Sequence, residues 1–341
     1  MTDSSPQIPS SRGLPAFMLD DSADLTLGDG AQATVNTGFS WLVRLSAISS
    51  IVVLFWMAIL VFEQSWPAMQ QFGLTFLTGT IWDINTLEFG ALSFIYGTLA
   101  TSLIALLLAI PISLAVAIIT SENFLPDWVK TPIAFTVELI AAIPSVIIGF
   151  WGIFVFLPAL LPFTTWLNSA LGFIPFFNTS PIGPGILPAG IILAVMIVPT
   201  IAAISREVLL AIPRDLRSAS SALGGTRWET IFRVMLPTGA SGVLGAAVLG
   251  LGRALGETMA VTMVIGNAPN SPFSDPPVWS LLDSGATIPS IIALQFPEAL
   301  DPLHIGALMY LAFVLFLVTL AVNVLAVLMV QFLNRGFSKN S

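Results

Sequence analysis

The chain of 341 residues contains no cysteine and a single histidine, His304. Without thiols it has no disulfides, thiolate metal sites or cysteine nucleophiles, and one imidazole cannot build a histidine metal cluster. Charge is scarce: 9% of residues are charged and 56% hydrophobic, whereas a soluble domain carries roughly 25% charged residues. Such a surface needs lipid as its solvent. The G-x-x-x-x-G-K-[ST] phosphate loop is missing, so the chain cannot cradle a nucleotide in one. H-E-x-x-H and G-x-S-x-G are missing too, which deprives an intramembrane protease of its metal or nucleophile. The chain therefore reads as a non-enzyme with no cofactor and no metal. A net charge of −8 gives no hint of nucleic-acid binding.

What is present is long apolar runs. Stretches near 43–63, 92–119, 131–157, 185–205, 239–265 and 306–332 are each long enough, at about 20 residues, to span a bilayer as a helix. Pro111, Pro144 and Pro199 fall inside these runs, as bundled membrane helices tolerate. No stretch alternates long enough for a barrel strand. The expected fold is an all-α membrane protein with six transmembrane helices. Residues 1–38 are polar, acidic and rich in Ser, Gly and Pro, without the apolar core of a signal peptide. They read as a disordered cytoplasmic tail, folding on contact being the alternative. Residues 39–335 form the membrane domain, and 336–341 a short cytoplasmic tail.

Lysine and arginine are placed asymmetrically. Arg12, Arg44, Lys130, Arg206, Arg214, Arg217, Arg227, Arg233, Arg335 and Lys339 all lie on one side of the six runs, and the loops near 64–91, 158–184 and 266–305 carry none. This pattern puts both termini in the cytoplasm. The basic-free loops include apolar segments such as 288–296, which argue for packed or re-entrant structure facing the side where a soluble binding protein would dock.

The loop at 206–237 has its own pattern. Ser218 to Leu223 can form a short helix, Gly224 and Gly225 end it, and Thr226-x-x-Glu229 is a capping box that opens a second. Ile231, Val234 and Met235 then recur on one face, with Arg227, Glu229 and Arg233 on the wetter one. The segment resembles the coupling-loop signature of ABC importer permeases. Ala219, Gly224, Val234, Leu236 and Pro237 fall at matching positions, while Ser218 and Ser220 depart from it, Ser218 replacing a glutamate. The resemblance implies that this loop docks into a groove on a separate ATP-binding subunit.

The fifth run holds two charges, Arg253 and Glu257. Arg253 lies about 21 Å along a continuous helix, where a cation costs about 2.5–3.5 kcal/mol and normally faces protein or a water-filled path. At 3.6 residues per turn, Glu257 stands one turn above it, and Gly242, Ala246, Gly250, Gly256 and Ala260 share the face. Small residues let another helix approach closely, or leave room for an oxyanion. Thr258 and Thr262 point elsewhere. The pair is open to three readings: an intrahelical salt bridge, a substrate contact, or both in turn. Glu138, about two turns into the third run, is a further candidate, either paired near the interface or exposed to the path, with Pro144 able to bend the helix above it.

The string Gly252-Arg-Ala-Leu-Gly-Glu-Thr-Met-Ala-Val261 with Ile265-Gly-Asn267, supported by Glu138 to Gly152 and Phe76 to Trp82, closely resembles PstC-type permeases of phosphate-specific ABC transporters. The likeness covers roughly residues 40–335. It implies a type I ABC importer permease fold in the inner membrane and a role as the permease subunit of an ATP-driven inorganic phosphate importer. The implied partners are a PstA-like permease, two ATP-binding subunits and an extracytoplasmic phosphate-binding protein. It also implies that the family's transport residues fall on Arg253 and Glu257. The nearest rival is the same architecture importing molybdate, sulfate or a phosphonate. A stand-alone transporter with inverted repeats is disfavoured because no internal repeat is evident.

Overall fold

The computed structural model describes residues 29–122, 124–270 and 279–338. It is helical apart from one hairpin of two-residue strands. Residues 1–28 of the expected tail and residues 339–341 lie outside the described residues, and from Asp29 onward the chain is helical. The chain divides into two compact units, Met1–Met57 and Ala58–Ser341. In the first, residues 36–57 form exposed helix.

Helix α1 spans Asp29–Phe72 and is followed by a single turn, α2 (Thr75–Thr78). Strands β1 (Trp82–Asp83) and β2 (Glu88–Phe89) pair antiparallel with Trp82 opposite Phe89. In the hairpin turn the Asn85 amide donates to Asp83, which holds that carboxyl below its usual range. Then come α3 (Leu92–Ser121), α4 (Asp127–Ala142), α5 (Ser145–Trp151), α6 (Leu157–Leu171) and α7 (Ile186–Ala211). They are followed by α8 (Arg214–Ala222), α9 (Arg227–Thr230), α10 (Leu236–Gly256), α11 (Met259–Ile265), α12 (Ile288–Gln295) and α13 (Pro302–Ser338). Among the described residues six helical stretches are long and apolar enough to cross a membrane: Asn36–Phe72, Leu92–Ser121, Ser145–Leu171, Ile186–Ala211, Arg227–Gly256 and Pro302–Met329.

The count of six matches the sequence, but two spans are built differently. The third was expected over 131–157. Proline lacks an amide hydrogen, clashes with the carbonyl four residues back and pushes its predecessor towards extended backbone. Ile143 accordingly sits at φ −70°, ψ 127°, so α4 stops at Ala142 and the membrane-length helix starts at Ser145. It then runs through a π-helical turn, Gly152–Phe156, to Leu171, taking in residues expected in a loop. The fifth span breaks at Glu257 and Thr258, where no proline stands.

Helix α7 is the most enclosed of the six spans among the described residues. Its widest contact is with α3, through Ala105, Ala109, Ala189, Leu193 and Ile197. Ser113 donates across the interface to the Val198 carbonyl at 3.0 Å. Small residues bring α10 against α7: a Cβ on Gly242 would meet Val208 at 2.6 Å, and one on Gly250 would meet Ile201 at 2.7 Å. At the other end of the bundle from α8, Phe76, Trp82, Phe89, Phe94 and Tyr310 form an aromatic core. His304 stacks on Phe89 there and shares the Gln295 side-chain oxygen with the Trp82 indole N–H. The apolar segment at 288–296 is packed as α12, opened by a Thr287–Ser290 capping box, with the Ile288 amide donating to Thr98.

Candidate functional site

Arg253 occupies the last turn of α10, where unpaired carbonyls favour a cation. The side chain is exposed, and its Nη1 donates to Thr200 Oγ1 on α7 at 3.2 Å. Gly252 and Gly256 beside it face open space. The helix stops at Gly256 and Glu257 takes up extended backbone, φ −69°, ψ 125°. Its carboxylate turns to the start of α11, where Oε1 accepts from the Ala260 amide at 3.5 Å, one of the donors a helix start leaves unpaired. Thr258 donates to the Gly256 carbonyl, and Thr262 donates back to Thr258.

This geometry corrects the helical wheel. Arg253 and Glu257 are not stacked one turn apart, because the helix that would stack them ends between them. No ion pair joins them among the described residues. The small-residue face is also divided: Gly242, Ala246 and Gly250 pack inward, while Gly256 stays open.

Glu138 is exposed on α4 and makes neither a hydrogen bond nor an ion pair among the described residues. It lines a cleft of about 820 Å³ together with Lys130, Arg206, Arg214, Arg217 and Glu122. A second groove brings it to Ala203 and Glu207 on α7. These lie about one and two turns along from Thr200, the partner of Arg253. Two of the three charges singled out in the sequence thus border one helix.

The loop after α7 forms as its pattern demands, with α8 starting four residues earlier than expected, at Arg214. Gly224 adopts φ +82°, a left-handed conformation that costs other residues roughly 1–2 kcal/mol. The capping box is complete: the Thr226 amide donates to Glu229 at 2.9 Å and the Glu229 amide to Thr226 Oγ1 at 3.3 Å. Ile231 and Met235 are buried against Ala117, Ile118 and Leu209, while Arg227, Glu229 and Arg233 are exposed. Ser218 and Ala219 are exposed and Leu223 stands 90% exposed at the tip. Ser220 is half-buried, its hydroxyl 2.8 Å from that of Thr230. Leu236 and Pro237 lie apart from this surface. They open α10, with Pro237 in its first turn and Leu236 packed into the core.

Residues 109–339 match the family described as "Binding-protein-dependent transport system inner membrane component". A "Phosphate transport system permease protein PstC" from Xylella fastidiosa is 45% identical over 274 residues, covering 79% of this chain and 82% of that protein. One from Mesorhizobium japonicum is 40% identical over 83% of this chain and 86% of its own length. The chain belongs to the PstC permease family. Among solved structures, the permease fold recurs in a bacterial ABC transporter involved in the import of the polysaccharide alginate. That match has a TM-score of 0.55 at 16% identity, over 88% of this chain and 98% of the other. An inward-facing MetNI methionine transporter gives 0.52 at 19% identity, over 70% and 94%. The fold is therefore that of a type I ABC importer permease, and this PstC-family chain is a multi-pass inner-membrane protein.

Sequence reasoning missed Thr200, an ordinary residue in an apolar helix until Arg253 is placed beside it. It also missed the Arg217–Glu122 ion pair at 3.2 Å, whose members lie far apart in the chain. Leu223, Trp228 and Phe232, all large, apolar and exposed, were visible as apolar residues in a charged loop.

Proposed function

We propose that this chain is the transmembrane permease subunit of an ATP-driven importer of inorganic phosphate. Its translocation path would be shared with a PstA-like permease, two ATP-binding subunits would sit in the cytoplasm with one of them docked on α8 and α9, and an extracytoplasmic phosphate-binding protein would deliver the ion. Both termini would lie in the cytoplasm, in line with the one-sided distribution of the basic residues. The observation that carries the reading is the 45% identity to a PstC permease across most of both chains.

The local chemistry is compatible. Arg253 presents a planar set of donors suited to two phosphate oxygens, anchored through Thr200 with open space alongside. Glu257 repels a fully deprotonated dianion but can accept a hydrogen bond from a protonated phosphate oxygen. Sulfate carries no such proton near neutral pH, so the two residues would favour phosphate. With the helix broken between them, each would make its own contact with the ion. Glu138, on the cleft below, would meet the ion later on the path. Ser218, Ala219, Ser220 and Gly224 would form or shape the ATPase-docking surface, with Leu236 and Pro237 fixing its return into the membrane.

The test is reconstitution of the complete transporter in proteoliposomes. Phosphate-loaded binding protein should stimulate ATP hydrolysis and drive phosphate uptake, with sulfate and molybdate giving neither. Uptake of either competitor at the phosphate rate would reject the assignment.

A further inference from the structure

Helix α8 is tied to the membrane bundle by a side chain as well as by the backbone. Arg217 leaves α8 half-buried, with 24% of its side chain exposed. Its Nη1 lies 3.2 Å from Glu122 Oε1, and Glu122 is itself only 20% exposed and directly follows α3. Its Nη2 donates at 2.8 Å to the carbonyl of Leu209, in the last turn of α7. That turn has carbonyls without intrahelical partners, and Leu209 is fully buried. One guanidinium therefore bridges α8 to the ends of α3 and α7, the most extensively packed pair of helices in the chain.

A second link lies alongside. Phe124, just past α3, stacks on Trp228 of α9 at 5.0 Å and 29°. The Ser220–Thr230 hydroxyl contact then joins α8 to α9. By contrast, the covalent link from α7 to α8 passes through extended backbone at Ile212 and Pro213, which can bend as a hinge. A displacement of α8 would be absorbed there unless side chains carried it into the bundle.

Resting on the importer reading, we propose that Arg217 and Glu122 form a clasp that passes movement of α8 to α3 and α7, making both positioning residues for the coupling of ATP hydrolysis to transport. A partly buried pair suits this work, because removing one partner leaves the other charge desolvated and the joint loose.

The experiment uses the full reconstituted transporter and measures phosphate imported per ATP hydrolysed, beside the amount of assembled complex. Arg217→Gln and Glu122→Gln should each lower that ratio by about tenfold, within the usual range of coupling between sites. The double variant should be no worse than either single variant, and Arg217→Lys, which keeps the charge but cannot reach Glu122 and Leu209 through two separate nitrogens, should recover the ratio only in part. A purely structural role would instead reduce assembled complex and leave the ratio at the wild-type value. That outcome, or full coupling in both single variants, overturns the clasp. If Arg217→Gln fails to assemble, Glu122→Gln decides, since it leaves the bond from Arg217 to Leu209 in place. Absence of phosphate uptake by the wild-type complex would fail the importer reading itself and is distinguishable from a coupled wild type with unaffected variants.

Discussion

Arg253 is held by a hydroxyl on a neighbouring helix, not by the carboxylate four residues on, and this changes what its variants should do. Arg253→Lys keeps the charge but replaces a planar fork with a point donor. Losing one charge-assisted hydrogen bond, about 1.5–3 kcal/mol, should cut phosphate uptake by at least about tenfold at unchanged protein level. Thr200→Val removes only the anchor of an exposed side chain and leaves the guanidinium itself in place, so it should produce a milder, few-fold loss. The swap Arg253→Glu with Glu257→Arg should leave uptake low, because there is no pair to reconstitute. Full recovery, measured as initial uptake into proteoliposomes, would revive the salt bridge and remove both residues from the transport path. The position of Arg253 was legible because a cation in an apolar run is costly. Its partner was not, because a helical wheel assumes that the helix continues.

At the scale of elements, local chemistry was read well and long-range arrangement poorly. The capping box at Thr226 and the left-handed Gly224 follow from a few adjacent residues, and both form. The stop at Ala142 follows from Pro144, yet a proline in an apolar run signals either a kink or a full break, and only packing decides. Pro111 and Pro199 remain inside unbroken helices, α3 and α7, whose mutual contact is the widest in the chain. Span five has the opposite fate: it breaks without proline where Gly252 and Gly256 offer little helix propensity and no side chain to pack. For Gly224, the left-handed backbone makes the outcome calculable. Replacement by valine should cost roughly 1–2 kcal/mol locally. The six spans should still insert, while binding of the ATPase subunit to the detergent-solubilised permease and phosphate uptake fall together. Normal uptake at normal permease level would remove this loop from the docking surface.

On the scale of the whole molecule, the distribution of eleven basic residues over 341 positions makes a statement that no single contact makes. Ten of the eleven fall on one side of the six spans, and that side must be cytoplasmic if the positive-inside tendency holds. The aromatic core around Trp82 and His304 then faces outward and α8 faces the cytoplasm, the two sides on which the proposed binding protein and ATPase would have to arrive. The absence of cysteine makes the orientation directly measurable. Two exposed leucines serve as probe sites: Leu223 at the tip after α8, 90% exposed, and Leu300 before α13, 92% exposed. Both lie outside apolar helix, so a cysteine at either should cost little stability. In intact cells an impermeant maleimide should label Leu300→Cys and not Leu223→Cys. In inside-out vesicles the pattern should reverse. Labelling of Leu223→Cys from outside would invert the whole chain, placing the capped loop on the side without ATP and leaving the proposed Arg217–Glu122 clasp with no motor to follow.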